Sequence, residues 1–314
     1  MRAFAKIASA ILLILIVCVS CKKGTQAPKY LTENVIVVIM DGARYSETWG
    51  DPSHQYIPRL SNQMSPFGAV NTQFFNNGPT YTLAGHTSIT TGFYQEIDNS
   101  GNELPKYPSI FQYYNAKYLP EKEDTWIITS KDKLEMLSNC QSIDFRDKYL
   151  PSANCGISGL GSGYRDDSVT YKVLIQTLSE YHPKLTLVNF REPDYSAHTG
   201  SWDNYLKGIR STDEYIYRIW EYIQSDSSYN GKTTLFITND HGRHLDGIPD
   251  GFVSHGDDCS GCRHIYFYAY GPDFKQGVIL DTKRELVDIT ATISEILHLD
   301  MKYGTGKIMY ELFK

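Results

Sequence analysis

The chain has 314 residues, a formal net charge of -6 and 41% hydrophobic residues. An acidic chain without a basic stripe is a poor candidate for nucleic acid as a structural partner. The length allows one large α/β domain or two smaller ones. Because no Pro/Ser-rich linker, repeat or low-complexity segment follows Lys29, we interpret the chain as having one domain.

The first residues have the outline of a secretory signal. Arg2 and Lys6 precede an apolar run over residues 7–19. That run is short for a segment that spans a bilayer, and the basic start followed by an apolar stretch is typical of an exported protein. The sequence therefore predicts a signal peptide at residues 1–20.

A lipid anchor is expected directly after this signal. Ser20 precedes Cys21, which resembles the lipobox of bacterial lipoproteins, although Cys18 stands where Leu is usual. We expect residues 21–33 to be a lipidated N-terminus and linker. Two or more acyl chains hold a protein stably on a membrane, whereas one does not. The prediction is export and anchoring to a bacterial membrane, the outer membrane being favoured, facing the periplasm or the cell surface.

Apolar runs that stop at polar residues predict the strands of a parallel sheet. Segments with apolar residues at helical spacing lie between them, among them a stripe that starts at Tyr205 and ends at Ile223. The alternation predicts an α/β fold, a single large domain with a mainly parallel sheet covered by helices on both faces. A further strand, HIYFYAYGPDF, and a C-terminal helix, ELVDITATISEILHL, follow. The four runs are NVIVVIMDGAR, DTWIITSKDK, KLTLVNFREPD and TTLFITNDHG.

Acidic and histidine side chains collect at the predicted strand ends. In open α/β sheets the ligand site lies beyond the carboxyl ends of the strands. Three carboxylates and three imidazoles at one edge suit two divalent metals, since each catalytic zinc takes three protein ligands and keeps an open position. Any one of these residues alone is more often a turn former or a packed side chain. The candidate ligands are Asp41, Asp194, His198, Asp240, His241 and His255.

Four cysteines remain in the predicted domain after Cys18 and Cys21. An even number of cysteines in an exported chain indicates disulfides. The simplest connectivity joins the two local pairs, and the alternative is a structural zinc site with four cysteine ligands. The four residues are Cys140, Cys155, Cys259 and Cys262.

The stretch GPTYTLAGHTSITTG, residues 78–92, is rich in hydroxyl groups and has no charged side chain. Ser and Thr favour turns and helix N-termini, so a turn followed by a helix is the simplest interpretation. A nucleophile is the alternative, since a neighbouring base or metal activates a Thr hydroxyl. The stretch by itself leaves both interpretations open.

Together these motifs resemble the alkaline phosphatase superfamily. VIVVIMDGAR, PTYTLAGH, PDYSAHTG, ITNDHG and SHG follow one another in the order and approximate spacing of that superfamily, from residue 34 nearly to the C-terminus. The resemblance implies that residues 34–314 form an alkaline-phosphatase-like catalytic domain. It points to the threonine-nucleophile branch, which includes nucleotide pyrophosphatase/phosphodiesterases and threonine-type alkaline phosphatases.

The resemblance also assigns roles to the candidate residues. It makes Thr82, four residues before His86, the nucleophile at the start of a helix, where backbone donors face a phosphate oxygen. The cofactors implied are two divalent metal ions, Zn²⁺ being favoured. His86, Thr80 and Thr87 are interpreted as packing residues, with substrate contact by His86 as the alternative. One metal would take Asp194, His198 and His255, and the other Asp41, Asp240, His241 and Thr82.

Two lysines bear on the substrate. Lys131 and Lys133 occupy a strand-end position where threonine-type alkaline phosphatases carry a Lys-x-Arg pair, so Lys133 departs from the pattern. Ammonium groups near the metals would favour a phosphate monoester, which carries one more negative charge than a diester. The alternative is that both lysines only start a solvated helix. Asn99 matches the position of a phosphate-binding Asn, with Asn102 as its rival.

The function expected is a two-metal phosphoester hydrolase that acts through a phospho-threonine intermediate on a small-molecule substrate, with monoesters favoured. A type I phosphodiesterase or nucleotide pyrophosphatase is the main alternative, and a noncatalytic surface-binding lipoprotein a further one. A sulfatase needs Cys or Ser followed by x-Pro-x-Arg, which is not found here. A cofactor-independent phosphoglycerate mutase needs a large inserted domain, for which the stretch from Thr82 to Asp194 is too short.

Overall fold

The structure is a computed structural model that describes residues 29–314. The expected signal peptide at residues 1–20 and the expected lipidated Cys21 lie outside the described residues. Within the described range, no helix combines the length and the apolar character needed to cross a membrane.

Nine strands form one sheet, which runs in the order β4-β3-β5-β1-β6-β7-β2-β8, with β9 paired to β2. Their bounds are β1 (Asn34–Met40), β2 (Ala69–Phe75), β3 (Thr125–Thr129), β4 (Ser152–Cys155), β5 (Leu185–Phe190), β6 (Thr233–Thr238), β7 (His264–Tyr270), β8 (Val278–Leu280) and β9 (Arg284–Glu285). All neighbours pair in parallel except the two that involve β7, which runs against β6 and β2. The predicted mainly parallel sheet is thus confirmed.

Helices cover both faces of the sheet. They are α1 (Thr82–Thr91), α2 (Ile110–Tyr118), α3 (Asp167–Tyr181), α4 (Asp194–His198), α5 (Trp202–Ser225), α6 (Ser260–Arg263) and α7 (Leu286–Ile296). Helices α1, α2 and α7 pack on the face to which Val37 of β1 points, and α3 and α5 pack on the face to which Val38 points. Successive residues of a strand point to opposite faces, so β1 is buried on both sides.

The predicted strands correspond to β1, β3, β5, β6 and β7, and the predicted C-terminal helix to α7. The sequence did not predict β2, whose middle residues Asn71, Thr72 and Gln73 interrupt any apolar run. A register shift between Asn71 and Phe74 accommodates these polar side chains. Asn71 Nδ2 donates to Thr282 O at 2.9 Å, so its burial leaves this amide satisfied.

The expected disulfides are wrong for this structure, because every cysteine of the described residues is a free thiol. Cys155 ends β4 and turns its Sγ toward Ile127 O on the neighbouring strand. Cys259 and Cys262 lie side by side at the start of α6. Among residues 29–314 no metal-ligating group unites the two pairs, so the alternative site with four cysteine ligands is not formed either.

Candidate metal centre and active site

Three adjacent parallel strands, β5, β1 and β6, deliver the carboxylates to one edge of the sheet. Asp41 directly follows β1, and Asp240 and His241 follow β6 after one intervening residue. Asp194 begins α4 shortly after β5. The carboxyl ends of neighbouring parallel strands meet at the same edge, which is the usual ligand site of an α/β sheet.

The first group of ligand atoms is compact. Asp194 Oδ1 lies 3.3 Å from His198 Nε2 and 3.4 Å from His255 Nε2, and the two imidazole nitrogens are 3.1 Å apart. Tetrahedral zinc with bonds of about 2.0 to 2.1 Å to nitrogen and oxygen separates its ligand atoms by about 3.3 Å. The three side chains therefore already have the spacing of a metal triad.

The second group is fully buried. His241 Nε2 lies 3.3 Å from Asp240 Oδ2 and 3.7 Å from Asp41 Oδ1. The ring nitrogen of His241 is also within 4.8 Å of the ligand atoms of Asp194 and His255. His241 thus stands between the two groups, and the two sites adjoin one another.

Two atoms of the second group, Asp240 Oδ2 and His241 Nε2, lack a hydrogen-bond partner among residues 29–314, and Asp41 Oδ1 faces the ammonium group of Lys131 at 2.8 Å. Unpaired buried polar atoms are costly, and a metal ion between Asp240 and His241 would satisfy both. Burial lowers the pKa of His241 to about 3, and its Nδ1 donates to Gly242 O at 2.8 Å. A neutral imidazole with a free Nε2 lone pair is the form that binds a metal, so the donor set fits divalent ions.

Asn189 and His86 pack against this group, a role that the sequence did not indicate for either residue. Asn189 Nδ2 donates to Asp41 Oδ2 at 2.9 Å and lies 3.1 Å from His86 Nε2. His86 Nδ1 contacts Thr82 O at 2.8 Å, and the ring is fully buried. His86 therefore holds the helix start rather than facing a substrate. The signal for Asn189 was a polar residue inside the apolar run of β5.

Arg243 is a further residue of the site that the sequence motifs did not indicate. Its guanidinium is fully buried and contacts Asp194 Oδ1, and it donates to Val253 O at 2.7 Å. Burial opposes ionisation of Asp194, but Lys131, then the two histidines and Arg243, hold the pKa of that carboxyl well below its ordinary value. The available signal was a cation two residues after His241, at a strand end.

Thr82 is the first residue of α1, with Tyr81 in extended conformation as the N-cap. Lys131 Nζ donates to Thr82 Oγ1 at 3.0 Å. The hydroxyl is buried beside the two groups of ligand atoms and at the positive end of the helix dipole, where an anion is stabilised.

Close packing sets the position of α1. A Cβ on Gly85 would lie 2.6 Å from Asp240 O, so only glycine allows the helix to approach the end of β6 this closely. Buried hydroxyls inside the helix bond to carbonyls one turn earlier, as Ser88 Oγ does to Ala84 O at 2.8 Å. These bonds explain how a hydroxyl-rich helix is buried along its whole length.

Thr80 and Thr87 lie outside the ligand set. Thr80 Oγ1 donates to Asp257 O at 2.7 Å, which ties the turn before α1 to a neighbouring loop. Thr87 is fully buried in α1, and its hydroxyl has no partner within the part of the chain that the structure describes.

The two lysines differ in their surroundings. Lys131 is fully buried, and its Nζ lies 2.7 Å from Asp194 Oδ2 and 2.8 Å from Asp41 Oδ1. Burial opposes the charge, but these carboxylates raise the pKa of Lys131 above its ordinary value. Lys133 donates to Asn99 Oδ1 at 3.1 Å, and burial, aided by the charge of Lys131, lowers its pKa to about 8. Lys131 is thus a fixed cation of the site, contrary to a solvated helix start.

A cavity of about 230 Å³ opens above Thr82 and brings the remaining candidates together. Asn99 lines it and uses its amide oxygen to accept from Leu83 N at 3.1 Å, so its amide nitrogen is the group that it offers to a ligand. Asn102 instead bonds to Ser100 Oγ in an exposed turn. The residues around the cavity also include Lys131, Lys133, Tyr164, Asp194, Tyr195, His198, Thr199 and His255.

Comparison with known proteins agrees with this arrangement. The family model described as Metalloenzyme superfamily matches residues 139–301. The chain therefore belongs to the Metalloenzyme superfamily, the alkaline-phosphatase-like group of metalloenzymes. This family membership confirms the resemblance inferred from the motifs.

A curated relative and two solved structures illustrate the range of this family. A 2,3-bisphosphoglycerate-independent phosphoglycerate mutase from Gracilaria tenuistipitata var. liui is 28% identical over 130 residues, which are 40% of this chain and 24% of the mutase. The match thus spans about a quarter of that relative. Murine ectonucleotide pyrophosphatase/phosphodiesterase 5, as an inactive Thr-to-Ala variant with AMP, has a TM-score of 0.64 at 13% identity and covers 90% of this chain and 100% of its own. The PsFucS1 sulfatase from Pseudoalteromonas sp. has a TM-score of 0.64 at 13% identity, and the match covers 90% of this chain and 72% of the sulfatase.

Proposed function

We propose that this chain is a phosphoester hydrolase that uses two divalent metal ions, forms a phosphoryl intermediate on Thr82 and prefers phosphate monoesters. The observation that carries the proposal is the position of Lys131 Nζ, in contact with Thr82 Oγ1, Asp194 and Asp41 at once. The nucleophile and both groups of ligand atoms therefore meet at one buried point.

The chemistry follows from these groups. Divalent ions held by the two ligand groups would lower the pKa of the Thr82 hydroxyl and neutralise phosphoryl oxygens. Thr82 Oγ1 attacks phosphorus, the bond from phosphorus to the leaving oxygen breaks, and the hydroxyl proton passes to solvent. Water then attacks phosphorus, which releases phosphate and restores the hydroxyl. The inactive Thr-to-Ala variant of the murine phosphodiesterase supports a threonine in this role.

The monoester preference rests on Lys133 and Asn99. Both line the cavity above Thr82, and Lys133 Nζ lies 3.1 Å from Asn99 Oδ1. An ammonium group and an amide donor are suited to the nonbridging oxygens that face away from the metals. A dianionic monoester gains more from such a charge than a monoanionic diester does.

The test is a pair of kcat/KM values for an aryl phosphate monoester and the matching diester, measured with zinc present. A ratio in favour of the monoester supports the proposal. A ratio in favour of the diester would shift the assignment to a type I phosphodiesterase. Turnover of neither would favour the noncatalytic surface-binding protein, which the complete set of six ligands argues against.

A phosphodiesterase or nucleotide pyrophosphatase is the second candidate. The murine phosphodiesterase structure in complex with AMP aligns with this chain over its whole length. Tyr164 and Tyr195 line the cavity here, and Tyr195 is 45% exposed. Aromatic rings stack against nucleobases, so these rings would suit a nucleotide leaving group.

Two other activities of the family are less well supported. The PsFucS1 sulfatase shares the fold. In this chain, however, the residue at the helix start is Thr82, which is neither Cys nor Ser and is not followed by the x-Pro-x-Arg that a sulfatase needs. For the mutase, the elements described between Thr91 and Leu185 are helices, strands and loops of the one sheet domain, without a separate inserted domain.

A further inference from the structure

The connection between β6 and β7 contains a second cluster of metal-ligating side chains. His244, Asp257, Cys259 and Cys262 each offer one ligand atom, and these four atoms all lie within 4.8 Å of one another. None of the four belongs to the six Asp and His ligands described above. Two thiols, an imidazole and a carboxylate around one point are a donor set for a soft divalent metal.

His244 has the orientation of a metal ligand. Its Nδ1 lies 2.9 Å from Pro249 O, which can only accept, so Nδ1 carries the proton and Nε2 a lone pair. That Nε2 is buried, lies 3.2 Å from Asp257 Oδ2, and has no hydrogen-bond partner within residues 29–314. A histidine that donates one nitrogen to a backbone carbonyl and leaves the other free is typical of metal sites.

The other three ligands are held by the start of α6. Cys259 N donates to Asp257 Oδ1 at 2.9 Å, which leaves Oδ2 free on the side of His244. Cys262 N lies 3.4 Å from Cys259 Sγ, so the two thiols share one helical turn. The Cys-x-x-Cys spacing is one that structural zinc sites use.

We propose that His244, Asp257, Cys259 and Cys262 form a third metal site, which takes zinc or a similar soft divalent ion and is structural. The contacts of this site with neighbouring segments suggest its structural role. Thr80 Oγ1 donates to Asp257 O at 2.7 Å, and His255 Nδ1 lies 2.9 Å from Thr80 O. The ion would fix the loop that carries His255 and the turn that leads to Thr82.

Cobalt substitution distinguishes this site from the catalytic pair. Only the third site has thiolate ligands, so only it gives a sulfur-to-cobalt charge-transfer band in the near ultraviolet. The full chain, purified anaerobically with reductant and loaded with Co²⁺, should show the band. The variant with Cys259→Ser and Cys262→Ser should lose the band and about one metal ion per chain. The variant with Cys140→Ser and Cys155→Ser, whose thiols lie elsewhere, should keep both.

Two results would overturn the proposal. One is cobalt-loaded wild-type protein with bound metal but without the charge-transfer band. The other is a disulfide between Cys259 and Cys262 that persists in the reduced, anaerobic preparation. Both measurements use the wild-type chain, so they decide the matter even if the serine variant fails to fold. Neither depends on turnover, and so a failed phosphatase assay leaves the test intact.

Discussion

Lys131 Nζ lies 3.0 Å from Thr82 Oγ1, and the same ammonium group lies 2.7 Å from Asp194 Oδ2. One buried cation thus fixes the hydroxyl at the helix start against a carboxylate from a different strand end. The nearby carboxylates raise the pKa of Lys131 and so favour its charged form. Replacing Lys131 would leave the Thr82 hydroxyl without this donor and Asp41 without its ammonium partner, while Asp194 would keep its contact with Arg243.

Lys131→Ala should therefore reduce kcat/KM on monoester and diester alike. Loss of a charge-assisted hydrogen bond costs about 1.5 to 3 kcal/mol, or roughly 10-fold to 100-fold. The variant should also bind its metals differently, since Asp41 and Asp194 lose their shared partner. Unchanged kcat/KM on both esters would contradict the role given to Lys131.

Lys133→Ala should separate the two substrates. Its ammonium group lines the cavity and bonds to Asn99, whereas Lys131 is the lysine paired with the buried carboxylates. We therefore expect a loss of about 10-fold or more on the monoester and little change on the diester. Lys172→Ala, which removes an exposed lysine from α3, is the matched control. Equal losses on both esters would mean that Lys133 acts through stability.

The pH dependence of kcat/KM on the monoester should reflect the ionisation of Lys133. Lys133 is charged below its pKa, which burial lowers to about 8. The wild-type kcat/KM on the monoester should therefore fall as pH rises through about 8, because the charge is lost there. Because kcat/KM reports pKa values of the free enzyme, this alkaline decrease should be missing from the pH profile of Lys133→Ala. Identical alkaline limbs in the two proteins would assign the titration to another group.

The site was only partly predictable from the sequence. Asp41, Asp240 and His241 could be found because each apolar strand ends abruptly at a polar residue, and parallel strands bring such ends together. Arg243 and Asn189 escaped notice because their roles depend on which strands are neighbours, and the order β5-β1-β6 was not available from local patterns. Asn189 in particular sits within an apolar run, where its amide is recognisable only by its partner Asp41.

The fold shows the same division. The sequence predicted the strands that have continuous apolar runs. It did not predict β2, because polar residues from Asn71 to Gln73 interrupt the run and a register shift there breaks the alternation of buried and exposed side chains. The expected disulfide between Cys259 and Cys262 is absent, since both are free thiols in the structure, and their spacing in the sequence did not show that His244 and Asp257 lie near them. Both features, the pairing of β2 and the surroundings of the two cysteines, depend on contacts that local sequence patterns do not show.

Asn189→Ala should weaken metal binding. It removes the donor to Asp41 Oδ2, and loss of a group that orients a metal ligand typically costs about 10-fold to 100-fold in affinity. Competition with a chromophoric chelator measures the effect. Asn115→Ala, at a buried amide that bonds to Thr125 Oγ1, should lower stability without this loss. Equal metal affinities in the two variants would contradict the role of Asn189.

Gly85→Ala should displace α1 from the end of β6. A Cβ would meet Asp240 O at 2.6 Å, and overpacking of this kind costs about 1 to 3 kcal/mol. We expect a lower Tm and a large loss of kcat, because Thr82 moves with the helix. Gly304→Ala, where the nearest atom is 3.5 Å away, is the control. A Gly85→Ala protein with wild-type kcat would show that the close approach is unnecessary.

The identity of the nucleophile is tested most directly by measuring turnover and metal content on the same preparations of Thr82→Ala and Thr87→Ala. Both variants remove a buried threonine hydroxyl from α1, but only Thr82 contacts Lys131. We expect Thr82→Ala to keep its metal ions, since six Asp and His ligands remain, and to lose nearly all turnover. Thr87→Ala should keep both. Turnover by Thr82→Ala at the rate of the Thr87→Ala control, with the metals in place, would contradict the phospho-threonine mechanism.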